Sequence, residues 1–161
     1  MTISWHDIAF QPGETLSGEI GEAWAWLIGQ RKFRPFLVSK FGDVFFETDD
    51  GAVQWLGCST GLIEHAAKSR SEFDDLCRAN GENVLEWFAP GLVQQLHEAG
   101  KVASDGECYA FVVQPIFKEC EYTPENLNPV PVREVLIGLA DFHRQIADMP
   151  DAASVQIKIV D

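Results

Sequence analysis

The chain has 161 residues, 46% of them hydrophobic, 23% charged and 11% aromatic, which is enough for one domain with a real core and too little for two full-sized ones. Its formal net charge is −13, with 12 acids against 7 bases in residues 1–80 and 13 against 5 in residues 81–161. A negative field over the whole surface repels phosphate backbones and anionic lipid, so direct nucleic-acid or membrane binding is disfavoured and a basic protein partner is favoured.

Neither a Gly-X-Y nor a heptad period runs through the chain, so fibre and disorder are excluded. Residues 14–28 place Leu16, Ile20, Trp24, Leu27 and Ile28 at helical spacing, with Gly29 as the stop. Residues 33–41, 43–48 and 52–56 are β-rich. The second and third of these are joined by Asp49-Asp50-Gly51, which tolerates the positive φ of a tight hairpin. A fourth short strand is expected at 62–64, giving an antiparallel meander of three or four strands with one face packed on helices. Ser69 or Ser71 caps a helix that ends near Ala79, before Asn80-Gly81. A short helix holding Val84, Leu85, Trp87 and Phe88 follows, and Pro90 opens another over 91–98.

Residues 108–116 are apolar at both parities, which predicts a central strand; 117–131 read as an ordered surface loop. The last helix runs from Val132 to Met149, and 154–160 alternate weakly as an edge strand. The expected fold is α+β: a meander packed against helices in a single domain over 1–161.

Candidate chemistry is sparse. Cys58, Cys77, Cys108 and Cys120 are 19, 31 and 12 residues apart, so no C-x-x-C pair offers zinc or redox chemistry, and they read as free thiols. His143 follows Asp141 by two helical positions, about 200° apart, so that carboxylate cannot orient the imidazole. Glu107, Glu119 and Glu121 beside Cys108 and Cys120 disfavour a thiolate, which argues against a cysteine–histidine hydrolase. Glu47, Asp49 and Asp50 before Gly51 lack the spacing of a calcium loop, and no phosphate-binding glycine loop occurs. The expectation is no catalytic residue, no cofactor and no metal. The N-terminus lacks a basic and an apolar leader region and no 18-residue apolar stretch occurs, so a cytoplasmic location is expected.

Two surfaces qualify as binding sites. The hairpin tip, Asp49 and Asp50, and the acidic loop, Glu119, Glu121, Tyr122 and Glu125, combine like charge with a rigid aromatic suited to docking on a basic protein face. The alternative is a small-molecule pocket between the meander and the last helix, lined by Trp55, Tyr109 and His143.

The motifs also fall in a familiar order. They are Trp24-Ala25-Trp26-Leu27-Ile28-Gly29, then Phe41-Gly42-Asp43-Val44-Phe45-Phe46, then Gly51 with Val53 and Trp55-Leu56, then Thr60-Gly61-Leu62-Ile63-Glu64. Next come Ala66-Ala67-Lys68-Ser69 with Glu72-Phe73, Trp87-Phe88 with Leu92-Val93 and Leu96, and Gly106-Glu107-Cys108-Tyr109-Ala110-Phe111. Pro115, Asn126 and His143-Arg144-Gln145-Ile146 complete the series. Over roughly residues 22–150 the chain resembles a bacterial domain family, long of unknown function, that forms the C-terminal part of immunity proteins neutralising a DNase effector of the type VI secretion system. The resemblance implies a non-enzymatic protein that binds and neutralises a cognate toxin.

Overall fold

The computed structural model describes residues 2–149. The expected edge strand at 154–160 and the stop at Pro150 lie outside the described residues. The chain begins with α1 (Trp5–Ile8), whose Ser4 and Asp7 form a reciprocal capping box, and a two-residue β1 (Ala9–Phe10). The expected helix over 14–28 is two helices, α2 (Glu14–Ala23) and α3 (Ala25–Ile28). The break falls at Trp24, which leaves helical geometry at φ −100°, ψ 11°. Its ring is fully buried, and its Nε1 donates to the carbonyl of Leu136 at 2.9 Å.

Strands β2 (Arg34–Ser39), β3 (Asp43–Glu47), β4 (Val53–Gly57) and β5 (Leu62–Ala67) follow. With β1 they form a five-stranded antiparallel sheet in the order β1-β2-β3-β4-β5. The β3–β4 turn closes as its composition predicts: Gly51 sits at φ +82° and its N–H donates to Thr48.

Helices α4 (Arg70–Ala79), α5 (Glu82–Phe88) and α6 (Pro90–Glu98) come next. Ser69 is the cap of α4, accepting from the Glu72 N–H at 3.1 Å, and Asn80 ends that helix in the left-handed region. Ser69→Ala removes the cap acceptor and is expected to lower stability by about 1 kcal/mol. Equilibrium urea unfolding reads this directly, and an unchanged midpoint would show that another group or water replaces the cap.

Strands β6 (Glu107–Phe111) and β7 (Leu127–Pro131) pair with each other as a separate ribbon, and α7 (Val132–Ile146) completes the described chain. Two expectations are corrected here. Residues 108–116 do not form a central strand of the main sheet: the strand ends at Phe111, and Val112 and Ile116 are exposed. Within the presumed loop 117–131, residues after a short 3-10 turn (Pro124–Asn126) form β7. Parity explains how that strand tolerates two prolines. Val112 N–H donates to Asn126 and Val132 N–H to Gly106, so even-numbered residues of β7 face β6 while Pro129 and Pro131 turn outward, where no N–H is required.

The sheet is covered on both faces, not on one as the meander pattern predicted. Phe45 looks toward α4, α5 and α6, packing its ring 5.0 Å from Phe73, 5.4 Å from Trp87 and 5.5 Å from Phe88. Val44 and Phe46 look the other way, into a second cluster with Ile20, Trp24, Leu136 and Ala140 from α2 and α7. The central strand is therefore apolar at both parities. The ribbon is tied to the sheet through Lys40, just past β2. Its carbonyl accepts the Tyr109 N–H at 2.7 Å, and its buried Nζ donates to the carbonyls of Ser104 and Glu107, each at 3.1 Å. A buried ammonium is tolerable only with such acceptors.

Candidate functional site

Strand parity brings Asp43 and Phe45 of β3 onto the face shared by Trp55 and Gly57 of β4. The pairings Trp55–Glu64 and Gly57–Leu62 extend that face to β5. At its Asp43 end the helices leave a cavity of about 240 Å³. Asp43 and Trp55 form its floor, Leu62 and Glu64 of β5 its open edge, Glu86, Trp87 and Leu92 of α5 and α6 one wall, and Phe41, Phe111 and Tyr122 the other. Five aromatic rings and three carboxylates thus meet around one small space.

The charges in it are graded by depth. Glu64 and Glu86 are exposed at the rim, whereas Asp43 is largely buried. Burial pushes the Asp43 carboxyl up from 3.8 to about 7, and the charge of Glu64 adds to the rise. The Trp55 indole N–H acts in the opposite direction, favouring the ionised carboxylate, yet Trp55 Nε1 is buried without an acceptor in full hydrogen-bonding geometry. A carboxylic acid poised near neutrality therefore faces an unspent N–H.

The acidic loop lies at the mouth. Tyr122 is 62% exposed, stands edge-on to Phe111 at 5.4 Å and lines the cavity. Asn126 pins the loop, its Nδ2 donating to the carbonyls of Val113 (3.0 Å) and Glu121 (2.9 Å) while its Oδ1 accepts from the Val113 N–H (2.8 Å). Lys101 Nζ donates to the carbonyls of Pro124 and Leu127 from the other side. Glu119, Glu121 and Glu125 point no charge into these contacts and are exposed.

The structure separates residues that the sequence grouped. Asp49 and Asp50 sit at the far end of the β3–β4 hairpin, about 20 Å along the strands from Asp43. They share no surface with the Tyr122 end of the sheet. Asp50 is also engaged locally: its Oδ1 accepts from Thr48 Oγ1 and the Ala52 N–H, and the Thr48 hydroxyl above all holds its pKa low. Of the three residues expected to line a ligand pocket, only Trp55 does so. Tyr109 is buried, its hydroxyl donating to the Lys101 carbonyl at 2.9 Å and accepting from the Ala103 N–H at 3.1 Å. His143 lies on α7, across the sheet from the cavity, with Nε2 donating to the Ser59 carbonyl at 3.2 Å. The pocket is bounded by α5 and α6, not by the last helix, because α7 fills its face of the sheet with Val135, Leu136 and Ala140.

No thiol is activated. Burial is the main cause of the rise in all four, taking Cys77 to about 11, Cys108 to about 12, and Cys58 and Cys120 upward as well. The neighbouring carboxylates named from the sequence add only a smaller push. Asp141 accepts from Arg144 and Gln145 rather than from His143, whose pKa burial lowers. Among the described residues no group of three or more His, Cys, Asp and Glu could hold a metal ion, and no helix is long and apolar enough to cross a membrane.

The sequence reading assigns no binding role to Asp43, Glu64 or Glu86, although the first two stand in the motif series. Alternation within the strands could have aligned Asp43 with Trp55 and Glu64, but the approach of Glu86 depends on how α5 docks.

No protein-family model matches the chain, and no curated protein matches it. Among solved structures it is similar to the crystal structure of Atu4351 from Agrobacterium tumefaciens, with a TM-score of 0.57 at 14% identity, covering 84% of this chain and 67% of that one. At that identity the likeness shows a shared fold.

Proposed function

We propose that the protein binds and neutralises a cognate toxin, a nuclease delivered by type VI secretion, through its acidic surface and without catalysis of its own. The observation that supports this reading most is the loop around Tyr122. Three exposed glutamates and a 62% exposed tyrosine are held on a segment fixed by Asn126 and Lys101. Preorganisation lowers the ordering cost of association, and a rigid aromatic among carboxylates is the composition of a hot spot for a basic partner. A nuclease must offer DNA a cationic cleft, and a chain of net charge −13 is drawn to such a cleft by the same field that attracts the substrate. The resemblance of the motif series to immunity domains points the same way.

The test is co-expression with the product of the adjacent reading frame, followed by size exclusion at low and high salt and a growth assay. A salt-sensitive complex that restores growth is the expected result; absence of both complex and toxicity overturns the reading. Reversing the loop charges together, Glu119→Lys, Glu121→Lys and Glu125→Lys, is expected to weaken the complex at least tenfold at low salt, chiefly through a slower on-rate. Asp49→Lys at the remote hairpin tip is the comparison, and a larger loss there would move the contact surface to that end.

A further inference from the structure

We propose that the cavity beneath Tyr122 is a binding site for a single organic cation, an alkylammonium or alkylguanidinium group, held between aromatic faces and the carboxylates of Asp43, Glu64 and Glu86.

Lining chemistry selects the ligand class. Trp55, Trp87, Phe41, Phe111 and Tyr122 line a space that also receives three acidic side chains and, among the described residues, no basic one. Aromatic faces carry negative potential and attract a cation within about 6 Å, more strongly when water is displaced. Anionic and neutral polar ligands have little to bind to here: the single orphan donor is Trp55 Nε1, while the remaining polar groups are carboxyls and the hydroxyls of Ser59, Thr60 and Tyr122. Size selects further. A volume of about 240 Å³ lies below the usual range for drug-sized ligands, roughly 300–1,000 Å³, and suits a small amine or the end of one Arg or Lys side chain.

Depth gives the site a function for its most buried acid. Burial, helped by the charge of Glu64, pushes the Asp43 carboxyl up to about 7, and the Trp55 indole N–H offsets this only in part. A cation seated above it favours the carboxylate, and the proton leaves to solvent as the ligand enters. The ionised oxygen can then accept the Trp55 N–H. The groups facing Asp43 are Glu64 from β5, the Trp55 indole from β4 and, more weakly, Tyr122 from the loop. Behind it lie the buried thiols of Cys58 and Cys108, both kept neutral. Glu86 completes the rim from α5. None of these supplies a positive charge, so the ligand must.

The proposal stands whether or not the partner is a toxin. The full chain, labelled with ¹⁵N, is titrated with n-butylguanidinium, tetramethylammonium and neutral N-butylurea while the Trp55 indole N–H signal is followed by NMR. Saturable shifts with the cations and none with the urea are expected. Asp43→Asn is expected to weaken cation binding at least tenfold and Glu64→Gln severalfold, whereas Glu22→Gln, an exposed acid on α2, leaves affinity within twofold. Because binding competes with a proton on a group titrating near 7, affinity should fall about tenfold from pH 8 to pH 6. Equal binding of the urea, or undiminished binding by Asp43→Asn, overturns the proposal. A capped Gly-Arg-Gly peptide separates the sources: binding at least as tight as that of butylguanidinium assigns the site to a partner's side chain, and binding of the free cation alone assigns it to a small amine.

Discussion

Asp43→Asn is expected to stabilise the protein at pH 8 by about 2–4 kcal/mol, and to change its stability little at pH 4. An acid whose folded pKa lies above its unfolded value binds more protons in the folded state. Protonated in both states below the unfolded value of 3.8, the acid carries no penalty there relative to a neutral side chain; the penalty builds as pH rises and is constant above about 7. A rise from 3.8 to about 7 corresponds to about 4 kcal/mol, which water entering the open cavity reduces. Asparagine keeps the shape and can still accept from Trp55, while removing the charge that burial penalises. Urea unfolding of both proteins at pH 4 and pH 8 isolates the effect, since the remaining carboxylates titrate alike in each. A difference of equal size at both pH values would assign the change to packing instead. The same substitution is expected to weaken cation binding, so a variant that is more stable and binds less separates the two roles of this residue.

Gly61→Ala is expected to cost about 2–4 kcal/mol. Gly61 lies in the β4–β5 turn at φ +72°, where a side chain alone costs about 1 kcal/mol, and its N–H donates to Gly57 at 2.8 Å. A Cβ built there would stand 2.6 Å from His143 Nδ1 and 2.8 Å from its Cγ. Those are atoms of a buried ring held by Ser59, on a helix packed along its length, so neither side can yield cheaply. His143→Ala removes the obstacle at its own cost. In the double variant the alanine at position 61 is expected to cost only the backbone contribution, giving a coupling of about 1–3 kcal/mol in the cycle. Purely additive losses would show that the turn, not the ring, resists the methyl group.

Much of the architecture could be read from local chemistry. Asp49-Asp50-Gly51 marks the hairpin, Ser69 the start of α4, Asn80 its end, Pro90 the first turn of α6, and the three-and-four spacing from Val132 the last helix. The first four rest on the backbone chemistry of single residues, the last on apolar periodicity. The failures concern relations between elements. Tyr109 and Phe111 join the cluster under α4–α6 while Cys108 joins the one under α2 and α7, so β6 is apolar at both parities although it has one strand partner. Among the described residues its other side meets Lys40, whose carbonyl accepts the Tyr109 N–H and whose Nζ donates to the Glu107 carbonyl, contacts 69 and 67 residues apart that no pattern encodes. The same distance in sequence hid the cavity. Asp43 and Glu64 look like ordinary hairpin residues until α5 brings Glu86 and Trp87 over them, whereas Tyr109 and His143 drew attention as polar aromatics and proved to be hydrogen-bonded within the protein.

The outward prolines of β7 have a consequence for how the molecule behaves at high concentration. A strand with one free side ordinarily presents a row of N–H donors to which another chain can add, the first step in edge-to-edge aggregation. Along Leu127–Pro131 the outward donors at 129 and 131 are missing, because both positions are imides. The remaining outward amide, that of Leu127, already donates to the Pro124 carbonyl, so an incoming strand would find carbonyls at 129 and 131 but no free N–H to accept from, and the ribbon cannot template its own extension. Protection against self-association at this edge is thus written into the covalent structure and, unlike the repulsion between acidic surfaces, does not weaken as salt is added.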